Sequence, residues 1–123
     1  MTNTTQTNPG QTPLHVDIGC NTDKGIKAIN EDDVHFLIPE TSYQLEQKGV
    51  CCALADGVST AEAGREASKI AVSQFVEDYY LAPETWSAAH TGEKILSAIN
   101  LSLFKKSHQF QQEEKGFLCT FVG

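Results

Sequence analysis

The run Val50-Cys51-Cys52-Ala53-Leu54-Ala55, closed by Asp56-Gly57, carries the most structural information in this 123-residue chain. A short continuous apolar run of this kind reads as a strand covered on both faces. An aspartate at the end of such a strand is held rigidly by the sheet. Gly57 beside it lets the backbone carbonyl turn inward with no side chain in the way. Just downstream, Ser59-Thr60-Ala61-Glu62 is a capping-box sequence that opens a helix. Ala63, Ala67, Ile70, Ala71, Phe75 and Tyr79 then recur at helical spacing, and the small residues early in that stripe would let the helix lie close to a sheet. Pro83 marks its break. A second helix is expected from about Glu93 to Gln112, with Ile95, Leu96, Ile99, Leu103 and Phe104 on its inner face.

Outward from this centre the signals are strands and turns. Leu14 to Cys20 alternates apolar and polar residues, which predicts a half-buried strand, and Asn21 to Gly25 is turn chemistry. Val34 to Ile38 reads as a strand stopped by Pro39, and Phe117 to Val122 as a last strand. Residues 1–13, rich in Thr, Asn and Gln, read as a flexible tail, and residues 14–123 as one partial domain with no internal repeat. The chain stops at Gly123 inside a predicted strand. An exposed strand edge invites pairing, so the expectation is a piece of a longer protein, prone to self-association through its exposed strands.

Composition narrows the function classes. Hydrophobic residues make up 40% and charged residues 20%, as in an ordinary globular chain rather than a disordered one. Nine basic against sixteen acidic residues give a net charge of −7, and no basic stripe exists, which argues against nucleic acid as a partner. No apolar run approaches a membrane span. The N-terminus lacks the basic flank and hydrophobic segment of a secretory signal, so a cytoplasmic location is expected. Cys51 and Cys52 are adjacent, Cys20 and Cys119 isolated. No C-x-x-C pair or zinc spacing occurs, and buried free thiols are expected.

Two carboxylate clusters stand out. Asn30-Glu31-Asp32-Asp33 immediately precedes a strand, and Asp56-Gly57 immediately follows one. Brought together on neighbouring strands, they offer several hard oxygen ligands, which suits Mg²⁺ or Mn²⁺. Taken singly, each has an ordinary reading: Asp-Gly is a turn and three consecutive acids are a solvated loop. Their order along the chain strengthens the joint reading. Rival motifs fail: position 54 is Leu54 where an aspartyl-phosphatase D-x-D-G would need Asp, and a calcium loop would place Cys20, Thr22 and Lys24 at positions that demand oxygen ligands. No nucleophile elbow, P-loop or i,i+4 histidine pair is present.

Thr22 to Asp32, then Ala53-Leu54-Ala55-Asp56-Gly57-Val58-Ser59, then Gly64 to Ala71, resemble the start of a metal-dependent serine/threonine protein phosphatase of the protein phosphatase 2C type. Glu77-Asp78-Tyr79-Tyr80 and Glu84-Thr85-Trp86-Ser87 are similar to the bacterial group in which such a domain is fused to a protein kinase. The resemblance implies an α+β fold, a four-layer α/β/β/α sandwich of roughly twice this size, with the N-terminal half in this chain. It implies that Asp56 bridges two Mg²⁺ or Mn²⁺ ions, that the Gly57 carbonyl ligates one, that Glu31 contacts that ion directly or through water, and that Asp32 supports the site. Lys27 stands where the family usually has a phosphate-binding Arg, keeping the charge but losing the bidentate fork. The implied reaction is hydrolysis of phosphoserine or phosphothreonine on proteins, with the metals ~3.5–4 Å apart and hydroxide attacking phosphorus in line. A fused or cognate kinase is the natural substrate candidate. With later metal aspartates missing, little activity is expected of this chain alone. Two other readings stay open: a non-catalytic interaction module that uses its exposed strand edge, and a small domain whose acidic loop holds no metal.

Overall fold

The computed structural model describes residues 15–58, 61–109 and 116–123. Among these residues the chain is α+β, in the order β1 (Asp32–Leu37), α1 (Ser42–Lys48), β2 (Cys51–Gly57), α2 (Ala61–Leu81), α3 (Ala88–Gln109) and β3 (Cys119–Val122). The strands form one antiparallel sheet in the order β1-β2-β3, with Val34 opposite Leu54 and Leu54 opposite Val122. The predicted tail and residues Ser59 and Thr60 of the capping box lie outside the described residues.

β2 is covered on one face only. Its residues alternate strictly between buried and exposed, so Cys51, Ala53, Ala55 and Gly57 face inward while Cys52, Leu54 and Asp56 face outward. This corrects the expectation of cover on both faces. The apolar run carries two different surfaces, and only the tertiary arrangement supplies a layer for one of them. That layer is α2, whose Ala63, Ala67 and Ala71 are buried against the sheet with Ala53 and Ala55. Alanine on both sides lets the helix axis approach the strands closely. Phe75 of α2 then closes the far end against Phe121 of β3, ring centroids 4.8 Å apart.

α3 packs on α2 through Thr91, Ile95, Ile99 and Leu103. The helix begins earlier than its apolar stripe suggested. The Ser87 hydroxyl accepts from the His90 amide at 3.2 Å and the Ser87 carbonyl from the Thr91 amide at 2.9 Å, which satisfies first-turn donors. Leu96 and Phe104, expected inside, are 38% and 59% exposed because they flank the i,i+4 stripe rather than lie on it. α1 was not anticipated. Thr41 caps it by accepting from the Gln44 amide, and Gly49 ends it at φ 70°, a left-handed conformation open to glycine. Tyr79 and Tyr80 hold it in place, their hydroxyls donating to the carbonyls of Lys48 and Gly49.

Two further expectations are revised. His15 to Cys20 alternates in exposure, yet forms no strand, because no strand among the described residues lies beside it to complete a ladder. Amphipathic alternation supplies a face, not a hydrogen-bond partner. Of the four thiols, Cys51 is buried and Cys119 half-buried, whereas Cys20 and Cys52 are exposed. Burial pushes the Cys51 thiol up to about 11.

Among the described residues, the Ser68 hydroxyl on α2 is the buried side-chain polar group left with no hydrogen-bond partner. An unsatisfied buried hydroxyl costs about 1–3 kcal/mol. Ser68→Ala is therefore expected to raise unfolding stability by about 1 kcal/mol, helped by the higher helix propensity of alanine. Urea denaturation checks this, and a less stable variant would show that the hydroxyl has a partner in solution.

Candidate functional site

The sequence-predicted site residues gather at one end of the sheet. The loop before β1 is shaped locally: Asp23 accepts from the Gly25 amide at 2.6 Å, Gly25 adopts φ 60°, and the Lys27 amide donates back to the Lys24 carbonyl at 3.2 Å. Asn30 fastens this loop to the strand. Its amide nitrogen donates to the Thr22 hydroxyl at 2.8 Å, and its side-chain oxygen accepts from the Asp32 amide at 3.0 Å. Neither bond is visible in the sequence, although an asparagine two residues before a strand start is an Asx-type signal.

The antiparallel register places Asp32 directly opposite Asp56. One step back, the Gly57 amide donates to the Glu31 carbonyl at 3.1 Å, so the pairing extends beyond β1 itself. The two-residue period of a strand then separates the acids. Asp32 and Asp56 project together from the open face. Glu31 pairs with Gly57 on the side of α2, and its carboxylate lies against the Gly64 backbone. Lys27 Nζ donates to Glu31 Oε2 at 3.2 Å. The Glu31 side chain is 13% exposed and that of Lys27 63%.

The charges respond to this crowding. A hydrogen bond to Asp56, partial burial and the Asp56 charge together raise the Asp32 carboxyl above the ordinary 3.8. The Lys27 ammonium is raised above its usual value, first by the hydrogen bond to Glu31 and then by the charge of Glu31, with smaller contributions from Asp56 and Asp32. All three acids thus act on one lysine. Among the described residues, no three His, Cys, Asp or Glu side chains converge closely enough to hold a metal ion in this conformation. The alternation explains it: Glu31 leans toward the helix while the aspartates lean away.

Gly57 has a structural reason of its own. A Cβ there would fall on the backbone of Gly64, so strand and helix meet backbone to backbone. Gly64 is the site residue that sequence reasoning did not single out. A Cβ at Gly64 would stand 2.9 Å from Glu31 Oε1, so the missing side chain makes the cradle in which that carboxylate rests. At the opposite end of β2, a cavity of about 650 Å³ is bordered by Val50, Phe75, Tyr79, Leu96 and Phe121. It is mainly apolar and stands apart from the carboxylates. Compared with known proteins, the chain matches no family model, no curated protein and no solved structure.

Two outcomes follow from the geometry. Gly57→Ala forces backbone apart from backbone and is expected to cost about 3 kcal/mol or more. Gly64→Ala meets the Glu31 carboxylate at 2.9 Å and the Gly57 backbone less closely, at 3.3–3.4 Å, and gains helix propensity, so it should melt below wild type but above Gly57→Ala, with the Glu31 signals displaced in NMR spectra. Equal losses in both variants would contradict the close approach. The Asp32 carboxyl, raised in the fold, favours folding below 3.8 and loses that contribution as pH climbs through its folded value. In chelator, Asp32→Asn is therefore expected to melt slightly above wild type at neutral pH, with the gain vanishing as the pH approaches 3.8. A gain independent of pH would refute the carboxylate pairing.

Proposed function

We propose that this chain is the N-terminal half of a metal-dependent serine/threonine protein phosphatase domain of the protein phosphatase 2C type. The observation that carries this reading is the register of β1 on β2, which puts Asp32 opposite Asp56 and Glu31 beside Gly57 at one sheet end, with Lys27 next to them. The donor types suit Mg²⁺ or Mn²⁺, carboxylate and carbonyl oxygens with the histidine and cysteine ligands of zinc not used, and holding an ion would require the Glu31 side chain to turn from the α2 side toward the aspartates. The Lys27 ammonium on the Glu31 carboxylate, which rests beside Gly64, supports the reading by showing that this carboxylate takes a positive partner.

In this reading Asp56, Asp32, Glu31 and the Gly57 carbonyl would hold the ions, and Lys27 would bind the substrate phosphate. The ions would supply an acidified water for attack on phosphorus and a clamp on its oxygens. The rigid end of β2 fixes Asp56, Gly57 keeps its carbonyl free of a shielding side chain, and Lys27 orients the phosphoryl group by charge. The four-layer sandwich is part of the proposal. The outward face of the sheet is apolar beyond the aspartates, with Leu54 at 53% and Val122 at 70% exposure, and a second sheet packing there would bury it. Phosphorylated proteins, among them a fused or cognate kinase, are the proposed substrates, and the cytoplasm the proposed location. Among the described residues no helix is long and apolar enough to cross a membrane.

The same exposed Leu54 and Val122, with β3 at the sheet edge, favour a second reading as a non-catalytic module that recruits a partner strand. Mn²⁺ titration separates the two. The phosphatase reading expects paramagnetic broadening centred on Glu31, Asp32, Asp56 and Gly57, abolished by Asp56→Asn. It also expects Mn²⁺-dependent binding of a phosphothreonine peptide over its unphosphorylated form, with weak p-nitrophenyl phosphate turnover. No response at millimolar metal would leave the interaction module as the surviving reading.

A further inference from the structure

We propose that the groove beside Cys52 is a docking site for an extended peptide, which joins the sheet in line with β3, lays an apolar side chain in the cavity and presents a basic side chain to Glu93. The backbone pairing carries this. β1 pairs with β2 from Cys51 to Asp56, whereas β3 pairs with it only from Leu54 to Gly57. In an antiparallel sheet, successive residues direct their backbone groups to opposite sides. The Gly57 amide donates to the Glu31 carbonyl on the β1 side, and the Val58 amide donates to the Leu118 carbonyl at 3.1 Å on the β3 side. Counting back in twos from Val58, the residues Asp56, Leu54 and Cys52 turn their N–H and C=O toward the β3 side. Asp56 meets Thr120 there and Leu54 meets Val122. Cys52 meets no strand among the described residues, so its donor and its acceptor open onto the groove.

The groove itself suits a strand. It is the cavity of about 650 Å³ at this end of β2, bordered by Phe75 and Phe121 and, across from Cys52, by Gly92 and Leu96 of α3. An apolar molecule without a backbone would fill the cavity and leave the Cys52 N–H and C=O unpaired, and a helix keeps its backbone bonds to itself. An added strand pairs both groups. Its alternation also fits. The residue opposite Cys51, which faces inward, sends its side chain into the cavity, while the residue opposite Cys52 turns outward. Charge selects the occupant further. Glu93 is the charged side chain on the lining; it is exposed, and among the described residues no hydrogen bond or ion pair engages its carboxylate. With a net charge of −7 on the chain, a basic peptide is the complementary one. This site uses the edge of β2 rather than that of β3, and it is independent of the carboxylates at the other end of the strand.

The probe is a short capped peptide of alternating Thr and Val that ends in Lys, so that the Val and Lys side chains share one face. Its control is the same peptide N-methylated at the Thr residues, which removes the donors aimed at β2. Titrated into the isotope-labelled chain, the probe is expected to shift the Cys52 amide signal and slow its hydrogen exchange, with Gly92 and Leu96 moving at the same midpoint. The N-methylated control should do neither. Glu93→Gln should weaken binding about two- to fivefold, as for an exposed ion pair. A Cβ at Gly92 stands 3.8 Å from the Phe75 ring, an ordinary contact, so Gly92→Leu should fold and melt no lower than wild type while its side chain fills the groove and abolishes binding. No binding at millimolar probe, equal binding of the N-methylated control, a Cys52 amide that stays still, or full binding by Gly92→Leu would each overturn the proposal. An unchanged affinity in Glu93→Gln would overturn the basic preference. Protection of Cys52 that grows with protein concentration and needs no peptide would make a second copy the occupant and overturn it as well.

Discussion

The meeting of Gly57 with Gly64 sets the geometry of everything around it. Neither position tolerates a Cβ without displacing a neighbour, and at Gly57 that neighbour is backbone. Contact at this level brings the start of α2 down onto the end of β2. The alanine stripe of α2 then follows along the sheet, because Ala63, Ala67 and Ala71 demand no more separation than the glycines do. The same contact leaves a recess at Gly64 into which the Glu31 carboxylate fits. One close approach therefore determines both the helix–sheet spacing and the place of an acidic side chain.

Electrostatics at this end of the sheet is a balance of like charges and one cation. Asp32 and Asp56 are forced together by register, and Asp32 holds its proton more firmly in consequence. A fold selected for stability alone gains nothing from opposing two acids across a strand pair. Such an arrangement becomes favourable when a cation joins it. Lys27 partly serves that purpose, reaching Glu31 from the preceding loop. The surrounding structure holds this arrangement: Asn30 bridges loop and strand, and the Glu31 carbonyl is tied to β2.

Much of the fold was legible beforehand, and the failures have physical causes. β1, β2, α2 and α3 announce themselves through apolar periodicity, which is a local property. The strand expected at Leu14 to Cys20 failed because a strand needs a neighbour, and alternation does not name one. α1 escaped notice because none of its residues is buried, so it leaves no apolar stripe. Its evidence was in its ends, Thr41 and Gly49. Of the site, Glu31, Asp32, Asp56 and Lys27 were legible as chemistry-bearing types near strand ends. Gly64 was not, since a glycine inside a helix looks like a local weakness until the atom it avoids is known.

The amino-acid sequence by itself determined the places of the main strands and helices, and it singled out the acidic residues that gather at one end of the sheet. It could do so because hydrophobic period, turn residues and side-chain type act over a few residues. The tertiary structure alone decided that β2 is covered on one face, that Asp32 rather than Glu31 stands opposite Asp56, and that Lys27 sits on Glu31. Those outcomes depend on register and on the approach of a helix to a strand. Such relations between distant segments are set by packing and pairing, and no local pattern encodes them.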